Sequence, residues 1–71
     1  MRRKLSYWYN RGEQDYTERN GYHHPNAELD IVLEPNKRLR ETMRSENRAY
    51  IDGYVSAKEQ DNSNPMIQSL G

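Results

Sequence analysis

Apolar and small residues recur at helical spacing over two stretches of this chain. Over residues 4–20, a step of about 100° per residue places Leu5, Trp8, Tyr9, Gly12 and Tyr16 on one face. This predicts an amphipathic helix with a notch at Gly12, Tyr7 pointing away from the stripe. Asn20-Gly21 predicts its stop, because glycine just past a last turn readily takes the left-handed conformation. Over residues 36–60, Leu39, Met43, Tyr50, Tyr54 and Ala57 fall within an arc of about 60°, a second helix whose apolar side faces the first. Asn36 follows Pro35 and is placed to cap it. Ser45-Glu46-Asn47-Arg48 also resembles a capping start, but one unbroken helix is the preferred reading.

Residues 21–35 read as a connector. They begin with Gly21-Tyr22-His23-His24-Pro25-Asn26 and end with Glu34-Pro35, both turn-forming clusters. Ala27 to Leu33 fits either a short strand or one or two helical turns, with Ile31 and Leu33 covering an open edge of the core. Residues 61–71 read as a flexible tail, whose Met66, Ile67 and Leu70 suit a groove on this protein or on a partner. The expected fold is all-α, a small two-helix hairpin over 1–60 with an irregular connector and that tail. Its expected core is Leu5, Trp8, Tyr9, Tyr16, Leu39, Met43, Tyr50, Tyr54 and Ala57.

A slide of 41 residues superposes Tyr9 on Tyr50, Gly12 on Gly53 and Tyr16 on Ala57. An interior glycine costs a helix about 1 kcal/mol relative to alanine, so two at matched positions imply a need for close helix approach. Trp8, Tyr9, Gly12, Tyr16, Tyr50, Gly53 and Tyr54 are thus the helix-packing set.

Composition narrows the picture. With 71 residues and 32% hydrophobic content the core must be thin, and six tyrosines with one tryptophan suit it, their polar tips reaching water. Without cysteine there is no disulfide or thiolate chemistry, and a small unstapled fold is expected to lean on a partner or on homo-oligomer formation. The longest apolar run, Ile31-Val32-Leu33, is far short of a membrane span, and no signal-peptide core follows the basic start, so a cytoplasmic protein with no membrane contact is expected.

Eleven basic and eleven acidic residues balance overall but not locally: residues 36–50 hold five basic and two acidic groups, residues 21–35 three acidic and no Lys or Arg. Lys37, Arg40, Arg44 and Arg48 line one side of the second helix, roughly 130° from its apolar arc. Spaced by three and four, they suit tracking of a phosphate backbone, with tyrosines such as Tyr7 stacking on unpaired bases. They equally suit a solvated face partly neutralised by Glu41. His23-His24 has no third histidine to complete a metal site and reads as exposed loop; Glu13, Asp15 and Glu18 read as a solvated helix face. No phosphate loop, nucleophile elbow or metalloprotease motif is present, so neither an enzyme nor a cofactor is expected.

Arg11-Gly12-Glu13-Gln14-Asp15, then Pro25-Asn26, then Asn47-Arg48-Ala49-Tyr50-Ile51-Asp52-Gly53-Tyr54-Val55-Ser56-Ala57 give the chain an order of motifs that resembles the ribosome modulation factor family and related small bacterial and phage proteins. That resemblance implies two packed helices joined by a loop, and a non-enzymatic protein that binds ribosomal RNA and proteins to modulate translation. Lys37, Arg40, Arg44, Arg48 and Tyr7 are then the RNA- or partner-binding residues. This chain is neutral where ribosome-binding members are strongly basic, and its longer connector carries Glu28, Asp30 and Glu34. The alternative is a phage-type accessory or inhibitor protein that binds a host protein through exposed tyrosines and its tail.

Overall fold

The computed structural model describes residues 3–62, which form three helices, α1 (Leu5–Thr17), α2 (Glu28–Leu33) and α3 (Lys37–Asn62). Helix α1 packs along α3, while α2 touches α3 more lightly. Ser45 lies inside the unbroken α3, and Asn36 caps it, its Oδ1 accepting the Leu39 N–H at 3.1 Å. The segment 27–33, for which strand and helix were both open, is helical over Glu28–Leu33.

The two long helices run in the same sense. At one end Leu5 shares a surface hollow with Ser45, Ala49 and Asp52; midway Gly12 meets the backbone of Tyr50 and Tyr54; farther on the Tyr16 hydroxyl donates to Asp61 at 2.8 Å. Residue numbers rise together along both helices, whereas the hairpin expected from the sequence would make one rise as the other fell. The segment between them makes this possible by running back along α3. Tyr22 packs on Tyr50 and Tyr54, Asn26 bonds to Met43 and Asn47, and Glu34 meets Arg40.

Both glycines sit where the helices touch. A Cβ on Gly12 would lie against the Tyr50 carbonyl oxygen and 2.8 Å from Tyr54 N, and one on Gly53 would lie against the Tyr9 carbonyl. The 41-residue correspondence is therefore a reciprocal contact, each helix setting its glycine against the other's tyrosine backbone.

Helix α1 ends earlier than Asn20-Gly21 suggested. Arg19 N–H bonds to the Tyr16 carbonyl at 3.1 Å and Asn20 N–H to the Asp15 carbonyl at 2.9 Å, a Schellman closure in which Arg19, at φ 58°, takes the left-handed position. Gly21, at φ 93°, lies just past this closure in the irregular connector.

Tyr50 and Met43 are buried, and Trp8, Tyr9, Tyr16, Leu39, Tyr54 and Ala57 are half-buried, in keeping with a thin core. Three expectations fail. Leu5 is 49% exposed, because only an open hollow faces the first turn of α1. Leu33 is exposed while Ile31 is buried: two helical steps separate them by about 200°, so a single turn points only one of them inward. Asp15, expected on a solvated face, is 2% exposed and Glu46 is 3% exposed, so the interior is partly ionic. Among the described residues no helix is long and apolar enough to cross a membrane. The proposed tail beyond residue 62 lies outside the described residues.

Candidate nucleic-acid interface

The buried polar cluster fixes the frame. Tyr50 projects from α3 into the angle between α1 and the connector, where its hydroxyl donates to Asp15 Oδ2 and accepts the His23 N–H at 2.8 Å. Asn20 Nδ2 reaches Asp15 Oδ1 at 3.3 Å and Arg11 Nε lies 3.4 Å from the same oxygen, so the buried carboxylate is hydrogen-bonded and charge-compensated. Burial first, and then the bond to Asp15, push the Tyr50 hydroxyl from the ordinary 10 up to about 12. The Tyr16 hydroxyl is also raised, chiefly because it donates a hydrogen bond to the Asp61 carboxylate, and that of Tyr22 is raised by burial.

A second clasp ties the connector to α3. The Asn47 side chain accepts Asn26 N–H at 2.9 Å and donates to Asn26 C=O at 2.8 Å. Asn26 Nδ2 in turn reaches Met43 O and Glu46 Oε1, each at 3.0 Å. Between these two anchors, Tyr22 and His24 are held against the middle of α3.

The four residues of the basic row, Lys37, Arg40, Arg44 and Arg48, are placed differently from one another. Arg40 is half-buried, and its Nη1 donates to the Glu34 carbonyl at 3.0 Å, joining the end of α2 to the start of α3. Arg48 pairs with Asp52 at 3.1 Å on an open surface, a contact worth about 0.3–0.5 kcal/mol. Lys37 and Arg44 are exposed, and neither has an ion-pair partner among the described residues. Tyr7 stands apart from this row. It lies on α1 beside Trp8 with the Arg3 guanidinium 4.7 Å from its ring centre, and lines a hollow with Trp8, Arg11, Asp15, Asn20 and His23.

Arg44 and Arg48 form a ridge between two hollows. On one side lies the opening beside Leu5; on the other, a groove of about 280 Å³ is lined by Tyr22, His24, Ile31, Val32 and Ile51, with Glu28 and Asn47 among its polar lining. Tyr22 is 44% exposed there. Its ring is nevertheless fixed, with centroids 5.4 Å from Tyr50, 5.3 Å from Tyr54 and 5.4 Å from His24. Tyr22 and His24 were absent from the residues proposed for binding, and only the density of aromatics in the connector hints at them. Exposed His23 has its Nδ1 3.2 Å from the Gly21 carbonyl, while half-buried His24 has a buried Nδ1 without a hydrogen-bond partner. Among the described residues no three His, Cys or acidic side chains gather as a metal ion would need.

Of the helix-packing set, Tyr9, Gly12, Tyr16, Tyr50, Gly53 and Tyr54 lie at the contact between α1 and α3, while half-buried Trp8 lines the hollow it shares with Tyr7, Arg11 and His23. The basic row and the aromatic groove meet only at Arg44 and Arg48. No protein-family model, curated protein or solved structure matches the chain.

Proposed function

We propose that this is a non-enzymatic binding protein that associates with RNA, in the manner of a ribosome-associated modulator of translation. One observation carries the reading: Arg44, with no acidic partner among the described residues, and Arg48, in a weak exposed pair, flank a groove that presents a fixed, half-open tyrosine. Guanidinium groups bind phosphate oxygens and an exposed ring stacks on bases, and the two lie side by side here. Lys37, exposed at the start of α3, extends the positive row. Arg40 is assigned to holding the connector and not to phosphate, since its guanidinium is bonded to Glu34.

The test is sedimentation with ribosomal particles across a salt series, using the parent and the variant Lys37→Glu/Arg44→Glu/Arg48→Glu. Arg40 is left intact so that the connector stays anchored. Three phosphate contacts on a single strand predict a slope of about −2 in log affinity against log salt, and the variant should no longer pellet. A folded variant that pellets like the parent removes the phosphate role of the row.

A second reading, an accessory or inhibitor protein that binds a host protein, is favoured by α2. Its Leu29, Val32 and Leu33 are 65%, 65% and 69% exposed, an apolar cluster on a helix of six residues. Under this reading Val32→Asp abolishes binding and salt has little effect.

A further inference from the structure

We infer that the groove between α2 and the middle of α3 receives one unpaired base of a single-stranded RNA, stacked on Tyr22, with its flanking phosphates on Arg44 and Arg48. The inference rests on the RNA-binding reading above and adds to it the form of RNA and the atoms that meet it.

Size gives the first argument. The groove's volume of about 280 Å³ lies just under the ~300–1,000 Å³ of pockets for drug-sized ligands, which suits one planar base and not a base pair. Its walls suit the same occupant. Ile31, Val32 and Ile51 supply apolar surface beside the open part of Tyr22, and that ring is braced by Tyr50, Tyr54 and His24. A braced ring loses little freedom when a base stacks on it, so the contact keeps most of its attraction.

Charge gives the second. Arg44 and Arg48 line the groove on the α3 side, and Glu28 lines it as well. The carboxylate repels phosphate and accepts N–H groups from a base edge, so the uncharged base is favoured inside and the phosphates along the arginines. His24, which also lines the groove, has a buried Nδ1 without a hydrogen-bond partner. In a duplex the bases are stacked and paired and do not enter such a groove, so single strands should be preferred.

The test measures binding of a dye-labelled, mixed-sequence twelve-nucleotide RNA by fluorescence anisotropy. The same RNA is also presented as a duplex and with abasic sites at alternate positions. Expected are at least tenfold tighter binding to the single strand than to the duplex, and a loss of about tenfold on removing bases. Tyr22→Leu should weaken single-strand binding by about tenfold and abolish the abasic penalty, whereas Tyr22→Phe keeps both. If Tyr22→Leu fails to fold, the abasic comparison on the parent decides alone. Equal binding of single strand, duplex and abasic RNA overturns the base pocket and leaves an RNA-binding protein that reads phosphates. No binding to any of the three overturns it as well, and takes the free-RNA reading with it. Retention on ribosomal particles at high salt that Val32→Asp releases, without binding to free RNA, assigns the groove to a protein partner and likewise overturns the proposal.

Discussion

Gly12 of α1 lies directly against the carbonyl oxygen of Tyr50 in α3, and the same contact recurs in mirror order where Gly53 lies against the Tyr9 carbonyl. Neither position has room for a methyl group, and the obstacle is backbone, not the yielding end of a side chain. Replacing a mid-helix glycine with alanine normally gains about 1 kcal/mol of helix propensity. Here overpacking costs about 1–3 kcal/mol or more, since the helices must separate. Gly12→Ala and Gly53→Ala are therefore each expected to lower stability in urea unfolding, by up to about 2 kcal/mol net of the propensity gain. A gain in either would sink the close-crossing account.

Burial of the Tyr50 hydroxyl makes stability depend on alkaline pH. Its value rises from 10 to about 12 on folding, so its contribution is complete below pH 10 and is lost as pH climbs toward 12, where the unfolded chain has already released the proton. Tyr16 and Tyr22 are shifted in the same direction. Thermal melts should thus show falling stability over this window, and absorbance near the tyrosinate band should show one tyrosine titrating last. Tyr50→Phe should remove that late step. It should also cost about 1–3 kcal/mol at neutral pH, by leaving the His23 N–H and one Asp15 oxygen without their partner.

The sequence makes some of this fold visible and hides the rest for physical reasons. Helical periodicity identifies which residues of α1 and α3 face inward, and Asn36 announces the start of α3 through its cap. Periodicity is blind to direction, however. The parallel sense of the two helices depends on Asn26 and Tyr22 finding α3 partners more than 20 residues away. The burial of Asp15 depends in the same way on Tyr50, 35 residues on. Read along α1 alone, Asp15 is one more polar residue between Gln14 and Tyr16. The basic row was legible as a row, but the attachment of Arg40 to Glu34 depends on how α2 meets α3.

Arg19 holds the left-handed position that closes α1, and an L side chain there carries a steric cost of about 1–2 kcal/mol. Glycine removes that cost but enlarges the freedom of the unfolded chain, which offsets part of the gain. Arg19→Gly is expected to raise stability by about 0.5–1 kcal/mol, read as a higher urea midpoint. Gly21→Ala, at φ 93°, should do the opposite. If both changes move stability the same way, the turn does not close as described.

The paired bonds between Asn47 and the Asn26 backbone hold the connector so that Tyr22 and His24 reach the groove. A single side chain satisfies one donor and one acceptor of the same residue, while Asn26 uses its own amide on Met43 O and Glu46. Asn47→Ala removes both bonds and opens the clasp, at a cost of about 1–3 kcal/mol. Hydrogen exchange separates local loosening from global loss: the Asn26 amide should lose protection far more than the amides of α1 and α3 around Gly12 and Gly53. RNA binding at the groove should weaken along with it, because a connector released from α3 no longer braces Tyr22. Unchanged protection at Asn26, with the protein still folded, would mean that the connector is held by the packing of Tyr22 and Ile31 instead of by this clasp.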